Sequence, residues 1–152
     1  MKKLIFALAA LALVAWGCSS DDDDDNNTTQ PSLLTAGSDE RPSWPFVDFD
    51  KYEQNMYVEV QLQDTLLSYA SDADLLCATM GGEVRGVAQP LSINGTMIFP
   101  LFIGSNEAGD YISLSYYCER LHRIFTKPEW TRFDPSMVPT GNDEIHQPIF
   151  VK

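Results

Sequence analysis

The side chains able to do covalent chemistry are few: the thiols of Cys18, Cys77 and Cys118 and the imidazoles of His122 and His146. A cysteine nucleophile needs a base brought to it in space. Cys77 sits in the apolar run 74–80, and Cys118 shares a strand face with Ile112 and Leu114, so both read as core residues. A zinc site needs clustered ligands, and neither histidine has a cysteine at zinc spacing; surface or internally satisfied histidines are expected, and no metal. Gly81-Gly82 joins two strand-like runs and opens no helix, which removes the phosphate-cradling glycine loop. No cofactor is expected. Paired carboxylates could hydrolyse a glycoside, but chance pairs arise readily in so acidic a chain, and a small hydrolase is the weakest of the functional expectations.

Aromatic side chains are the remaining recognition chemistry, because rings stack on sugars and anchor protein partners. Strand phase or loop position directs Tyr57, Tyr69, Tyr117 and Trp130 away from the core, and these are the candidate binding aromatics. Cys77 and Cys118 admit two readings. In an oxidising compartment they can pair, and by the chain-entropy model such a loop stabilises by about 4 kcal/mol. As residues of apolar strands they are equally at home as free buried thiols.

The elements that must position these groups begin with an address. Met1-Lys2-Lys3 is basic, and residues 4–16 form an apolar run of thirteen, shorter than the roughly 20 residues of a membrane-spanning helix and fitting a secretory signal. Val14-Ala15-Trp16-Gly17-Cys18 resembles the bacterial lipoprotein signal, in which the cysteine is acylated and becomes the first mature residue. Gly17 is the usual small residue there, while Trp16 and Ala15 depart from the commonest pattern, as relaxed lipoboxes of Bacteroidota do. The resemblance implies acyl chains on Cys18, and more than one chain is what stable anchoring requires. Ser20 and the aspartates Asp21, Asp22, Asp23, Asp24 and Asp25 resemble the surface-export signal of Bacteroides-type lipoproteins. Contiguous aspartates lack the alternating spacing and turn glycine of a calcium loop. Residues 18–42 therefore read as a lipidated cysteine on a disordered acidic tether, and the implied location is the outer membrane, lipid-anchored and facing outward. Asp64-Thr65-Leu66 resembles an O-glycosylation acceptor of the same bacteria, with Thr65 as the acceptor.

Loss of residues 1–17 would remove Lys2 and Lys3 and no acid, moving the net charge from −12 to −14. Such acidity argues against nucleic-acid phosphates as partners.

Residues 43–152 are enough for one domain. Met56, Val58, Val60 and Leu62 alternate with polar neighbours in a half-buried strand. Residues 74–80 form a second strand, Gly81-Gly82 a tight turn and residues 83–89 a third strand, in which Gly86 marks a bulge or a close backbone approach. Asn94-Gly95 is the strongest hairpin signal, leading into residues 96–103, where Pro100 demands an edge or a bulge. Residues 111–118 form another strand, 122–126 a short one, 128–141 a proline-rich loop and 148–152 a terminal strand. Residues 64–74 have room for one helical turn. About seven short strands without helical period predict an all-β, immunoglobulin-like antiparallel β-sandwich, with a small β-barrel as the alternative.

Trp44-Pro45-Phe46, Tyr52, Met56, Glu83-Val84-Arg85-Gly86 and Asn94-Gly95, followed by residues 111–117 and Arg123-Ile124-Phe125, resemble in order the small β-sandwich modules of extracellular Bacteroidota proteins. The resemblance carries no catalytic motif. It leaves the role open, and a lipid-tethered module without a catalytic motif is expected to act by binding, not catalysis, with a surface protein, a host molecule or a glycan as partner; the alternative is a glycan-binding accessory of polysaccharide uptake.

Overall fold

Alternation of side chains writes the first strand. In β1 (Gln54–Val60), Met56, Val58 and Val60 are buried, while Tyr57 and Glu59 face the other way. The structure, a computed structural model, describes residues 34–137 and 145–152. Cys18, Ser20 and Asp21, Asp22, Asp23, Asp24 and Asp25 lie outside the described residues. After β1 comes a single helical turn, α1 (Asp64–Leu67), anchored by buried Leu66. Then follow β2 (Leu75–Met80), β3 (Glu83–Ala88), β4 (Leu91–Ile93), β5 (Thr96–Ser105), β6 (Tyr111–Cys118) and β7 (Arg123–Arg132). Both tight hairpins use the expected residues. Gly81 and Gly82 have φ of 57° and 83°, and Asn94 and Gly95 have 52° and 82°, the paired positive angles that match the twist of the flanking strands.

Among the described residues the strands form two antiparallel sheets, β1-β5-β4 and β3-β2-β6-β7. They pack as a β-sandwich, not a closed barrel. Met56, Val58, Phe99, Leu101 and Ile103 from one sheet meet Leu76, Ala78, Leu114, Tyr116 and Cys118 from the other. This apolar interior is the main driving force for the fold.

Two glycines let backbones touch. At Gly86 a Cβ would run into the Phe102 carbonyl oxygen, so β3 can lie against β5 only with glycine there. The register of β2 with β3 also shifts beside it, pairing Ala78 with Gly86 and Thr79 with Val84, so Arg85 is the bulged residue. The expected bulge and the expected close approach are both present. Gly104 carries the Tyr52 ring on its bare backbone.

Prolines are placed where no ladder hydrogen bond is lost. Pro100 faces Glu59 of β1, whereas β4 pairs with β5 only from Thr96 to Ile98, leaving Pro100 on an open edge. Pro128 corrects an expectation. The loop predicted over residues 128–141 begins later, because β7 runs through Pro128 to Arg132. Leu114 pairs with Lys127 and Ile112 with Thr131, so the residues between form a bulge. Glu129 there has φ 44° and its N–H donates to the Ser113 hydroxyl at 3.1 Å. β7 is the edge strand of its sheet, which tolerates proline.

The C-terminal residues make isolated bridges, Val60 with His146 and Thr126 with Val151, in place of the expected terminal strand. The tail thereby joins one strand of each sheet, with Phe150 buried between them.

Ordered structure also starts earlier than residue 43. The Gly37 N–H donates to the Leu121 carbonyl at 2.6 Å and the Asp39 N–H to that of His122 at 2.9 Å. The Asp39 carboxylate accepts from the Ile124 N–H at 2.8 Å. Arg41 donates to the Ala73 carbonyl at 2.6 Å and pairs with Glu119 at 2.7 Å. Residues 36–41 are thus part of the domain, and the tether reading through residue 42 is too long.

The disulfide reading is overturned. Cys77 and Cys118 are free and buried. Cys118 lies in the core with Tyr116, whereas Cys77 falls between the core residues Leu76 and Ala78 and so faces the opposite side of the sheet. Two thiols on opposite faces cannot be bridged without rebuilding the sheet.

Candidate functional site

The outer face of the three-stranded sheet carries an open groove. The register sets Tyr57 directly across from Phe102, and Glu59 directly across from Pro100. Asn55 extends the β1 side and Leu91 of β4 closes the other, around a volume of about 590 Å³. The Tyr57 and Phe102 ring centroids are 4.6 Å apart with a 53° tilt, and the Phe49 ring meets Phe102 edge-on at 6.4 Å. Phe102 remains 52% exposed and Leu91 53%. The Tyr57 hydroxyl donates to Glu59 Oε1 at 3.1 Å, setting a carboxylate beside the rings. Among the described residues the groove has an apolar floor with one carboxylate and one amide, a composition common in small-ligand pockets.

Of the four aromatics expected to be available, only Tyr57 lines this groove. Tyr117 is 1% exposed, with the Arg41 guanidinium 5.8 Å above its ring. The reordered segment 36–41 covers the face that strand phase alone would leave open. Tyr69 and Trp130 are half-buried against the core, and Trp130 stands edge-on to His146 at 5.4 Å. None of these three is a platform. Phe102, the ring the groove displays most, is the residue sequence reasoning missed. Its signal was Pro100, whose outward placement two residues earlier puts Phe102 on the same face.

A second, polar hollow of about 430 Å³ lies where residues 37–41 cross Tyr117, Glu119 and His122. Three of its charged groups are already engaged, Asp39 with the Ile124 N–H and Glu119 with Arg41. The Tyr117 hydroxyl and His122 Nδ1 are 3.5 Å apart, at the limit of a hydrogen bond. Among the described residues no three His, Cys, Asp or Glu side chains gather as metal ligands.

Burial keeps the thiols protonated. The Cys77 thiol is pushed up to about 12 by desolvation, and Cys118 is raised by the same cause. A thiol so raised is a poor nucleophile. Glu83 and Arg85 form an ion pair along one strand, at 3.1 Å, and Arg85 also lies 5.0 Å from the Tyr52 ring centre. Thr65 is exposed on α1, where its hydroxyl accepts from the Gln63 side-chain amide at 2.8 Å.

Among the described residues, no helix is long and apolar enough to cross a membrane. Fold and groove together define a small β-sandwich with a partly aromatic groove on one outer face. Comparison with protein-family models gives no match, and neither the curated proteins nor the solved structures give one.

Proposed function

We propose that the chain is a cell-surface binding protein, lipid-anchored to the outer membrane through Cys18, and that it takes its ligand in the groove of Tyr57 and Phe102. The address rests on the lipobox and on Ser20 with its aspartates. The observation that carries the binding role is Phe102: a large ring left half in water, paired with a second ring and fixed by strand register over an open groove. An exposed aromatic so placed costs solubility, and its retention is accounted for by a ligand that covers it. The partner expected is a protein of the same surface or of the host. A glycan is the second reading, favoured by the amide of Asn55 and the carboxylate of Glu59 beside the rings, which could pair with sugar hydroxyls.

Crosslinking on intact cells followed by capture tests the role. Phe102→Ala should lose the captured partner while remaining displayed at the surface; identical capture by both forms would reject the groove as the site.

A further inference from the structure

We propose that the groove selects a basic peptide segment, laying a Lys or Arg stem across Phe102 and Tyr57 with its charge on Glu59 and a neighbouring apolar side chain against Leu91 and Pro100. This rests on the groove reading above and specifies its ligand. The first argument is charge. Among the described residues that line the groove, Glu59 is the charged one, and none is Lys, Arg or His. The ion pairs among the described residues engage Glu119, Asp48 and Glu83 but not Glu59. A cation on the ligand would add an ion pair to the hydrogen bond that Glu59 already accepts from Tyr57.

The second argument is spacing. Tyr57 and Glu59 are two residues apart on β1, on one face, and their partners across the ladder are Phe102 and Pro100. Two residues along a strand advance about 7 Å, which a lysine or arginine stem can span. The stem then lies on apolar and aromatic surface while its head reaches the carboxylate, as long basic side chains do elsewhere. Ring faces beside the carboxylate attract the same cation.

The third argument separates a peptide from a neutral sugar. Leu91, Pro100 and Phe102 give the groove an apolar body, and among the described residues polar side-chain atoms come only from Asn55, Tyr57 and Glu59. That is few for the hydroxyls around a sugar ring, and well matched to one charged head among apolar side chains. The chain's net charge of −12 favours approach of cations and disfavours acidic or phosphorylated peptides.

The test pans a phage-displayed library of random short peptides against the full chain in detergent, with a glycan array beside it. Enriched peptides should share a Lys or Arg next to an apolar residue. For a synthetic copy of the strongest, Glu59→Gln should raise Kd about tenfold, the loss of one charge-assisted contact. Affinity should fall between about 50 and about 500 mM salt in the parent and much less in Glu59→Gln. Replacing the peptide's base by Gln should weaken binding to the parent and not further weaken binding to Glu59→Gln. Enrichment without bases, or no enrichment, overturns the inference. So does a glycan whose binding is lost in Phe102→Ala and unchanged in Glu59→Gln, though that outcome leaves the groove as the site. Ligands that bind Phe102→Ala as well as the parent would reject the groove itself.

Discussion

Asp74 is fully buried and is surrounded by donors. The Tyr116 hydroxyl reaches it at 2.6 Å, the Ser71 hydroxyl at 2.8 Å, and the N–H groups of Ser71 and Glu119 at 3.0 Å. One carboxylate thereby ties the entry of β2 to the exit of β6. Replacing it by alanine strands several buried donors at once, and Asp74→Ala should cost about 3 kcal/mol in urea unfolding. Tyr116→Phe, which removes a single donor, should cost about 1 kcal/mol. The thiols give a second residue-scale prediction. Burial is the chief cause that moves the ionisation of Cys77, Cys118 and Tyr116 to higher pH, so the native state holds protons that the unfolded chain releases. Stability is then fully present below about pH 9 and falls as pH rises toward 12; Tm measured from about pH 8 to about pH 11 should decline, and a flat profile would contradict the burial. A thiol reagent should find Cys77 and Cys118 only after denaturation without reductant, whereas a disulfide would leave both unreactive. Composition and compartment allowed either state, and what decides is the side of the sheet on which each thiol lies, a matter of strand phase already present in the spacing of Leu76, Ala78 and Tyr116.

At the scale of elements, the approach of β3 to β5 depends on one missing side chain. Gly86→Ala should separate them and cost about 3 kcal/mol, the upper range of overpacking, whereas Pro128→Ala on the bulged edge of β7 should change stability by less than about 1 kcal/mol. Equilibrium unfolding of the two variants compares them directly. These two residues also mark how far elements can be read from spacing. A glycine inside a strand pattern announces its bulge, because few other causes place it there. A proline announces only the loss of a donor, and whether that ends a strand depends on whether a neighbour was waiting for the bond. Pro128 lies on an outer edge, so β7 continues, a fact that belongs to sheet order. Phe102 was hidden for the same kind of reason. β5 is apolar on both faces, so alternation, which placed Tyr57 correctly, gave no contrast there. The ordering of residues 36–41 likewise comes from partners some 80 residues away, such as Glu119 and Ile124, which local composition does not register.

For the whole molecule, the proposed address and the proposed groove rest on different residues, so each can be tested without the other. Cys18→Ala should release the protein from membranes into the soluble fraction. Changing Asp21, Asp22, Asp23, Asp24 and Asp25 together to alanine should leave it membrane-bound but protected from protease added to intact cells; shaving at the parent rate would reduce the aspartates to a spacer. Neither change touches the groove, so ligand binding by the purified protein should be unaltered.

The segment 36–41 has a mechanical consequence. If Cys18 is anchored and a ligand pulls outward, as proposed, the first described contacts to carry the tension would be those of Gly37, Asp39 and Arg41 with the β6–β7 turn. Those bonds lie one after another along the segment, so a steady pull can open them in sequence before any core strand is loaded. Under that proposal the clasp would act as a fuse, yielding under strain before the sandwich and the groove it carries.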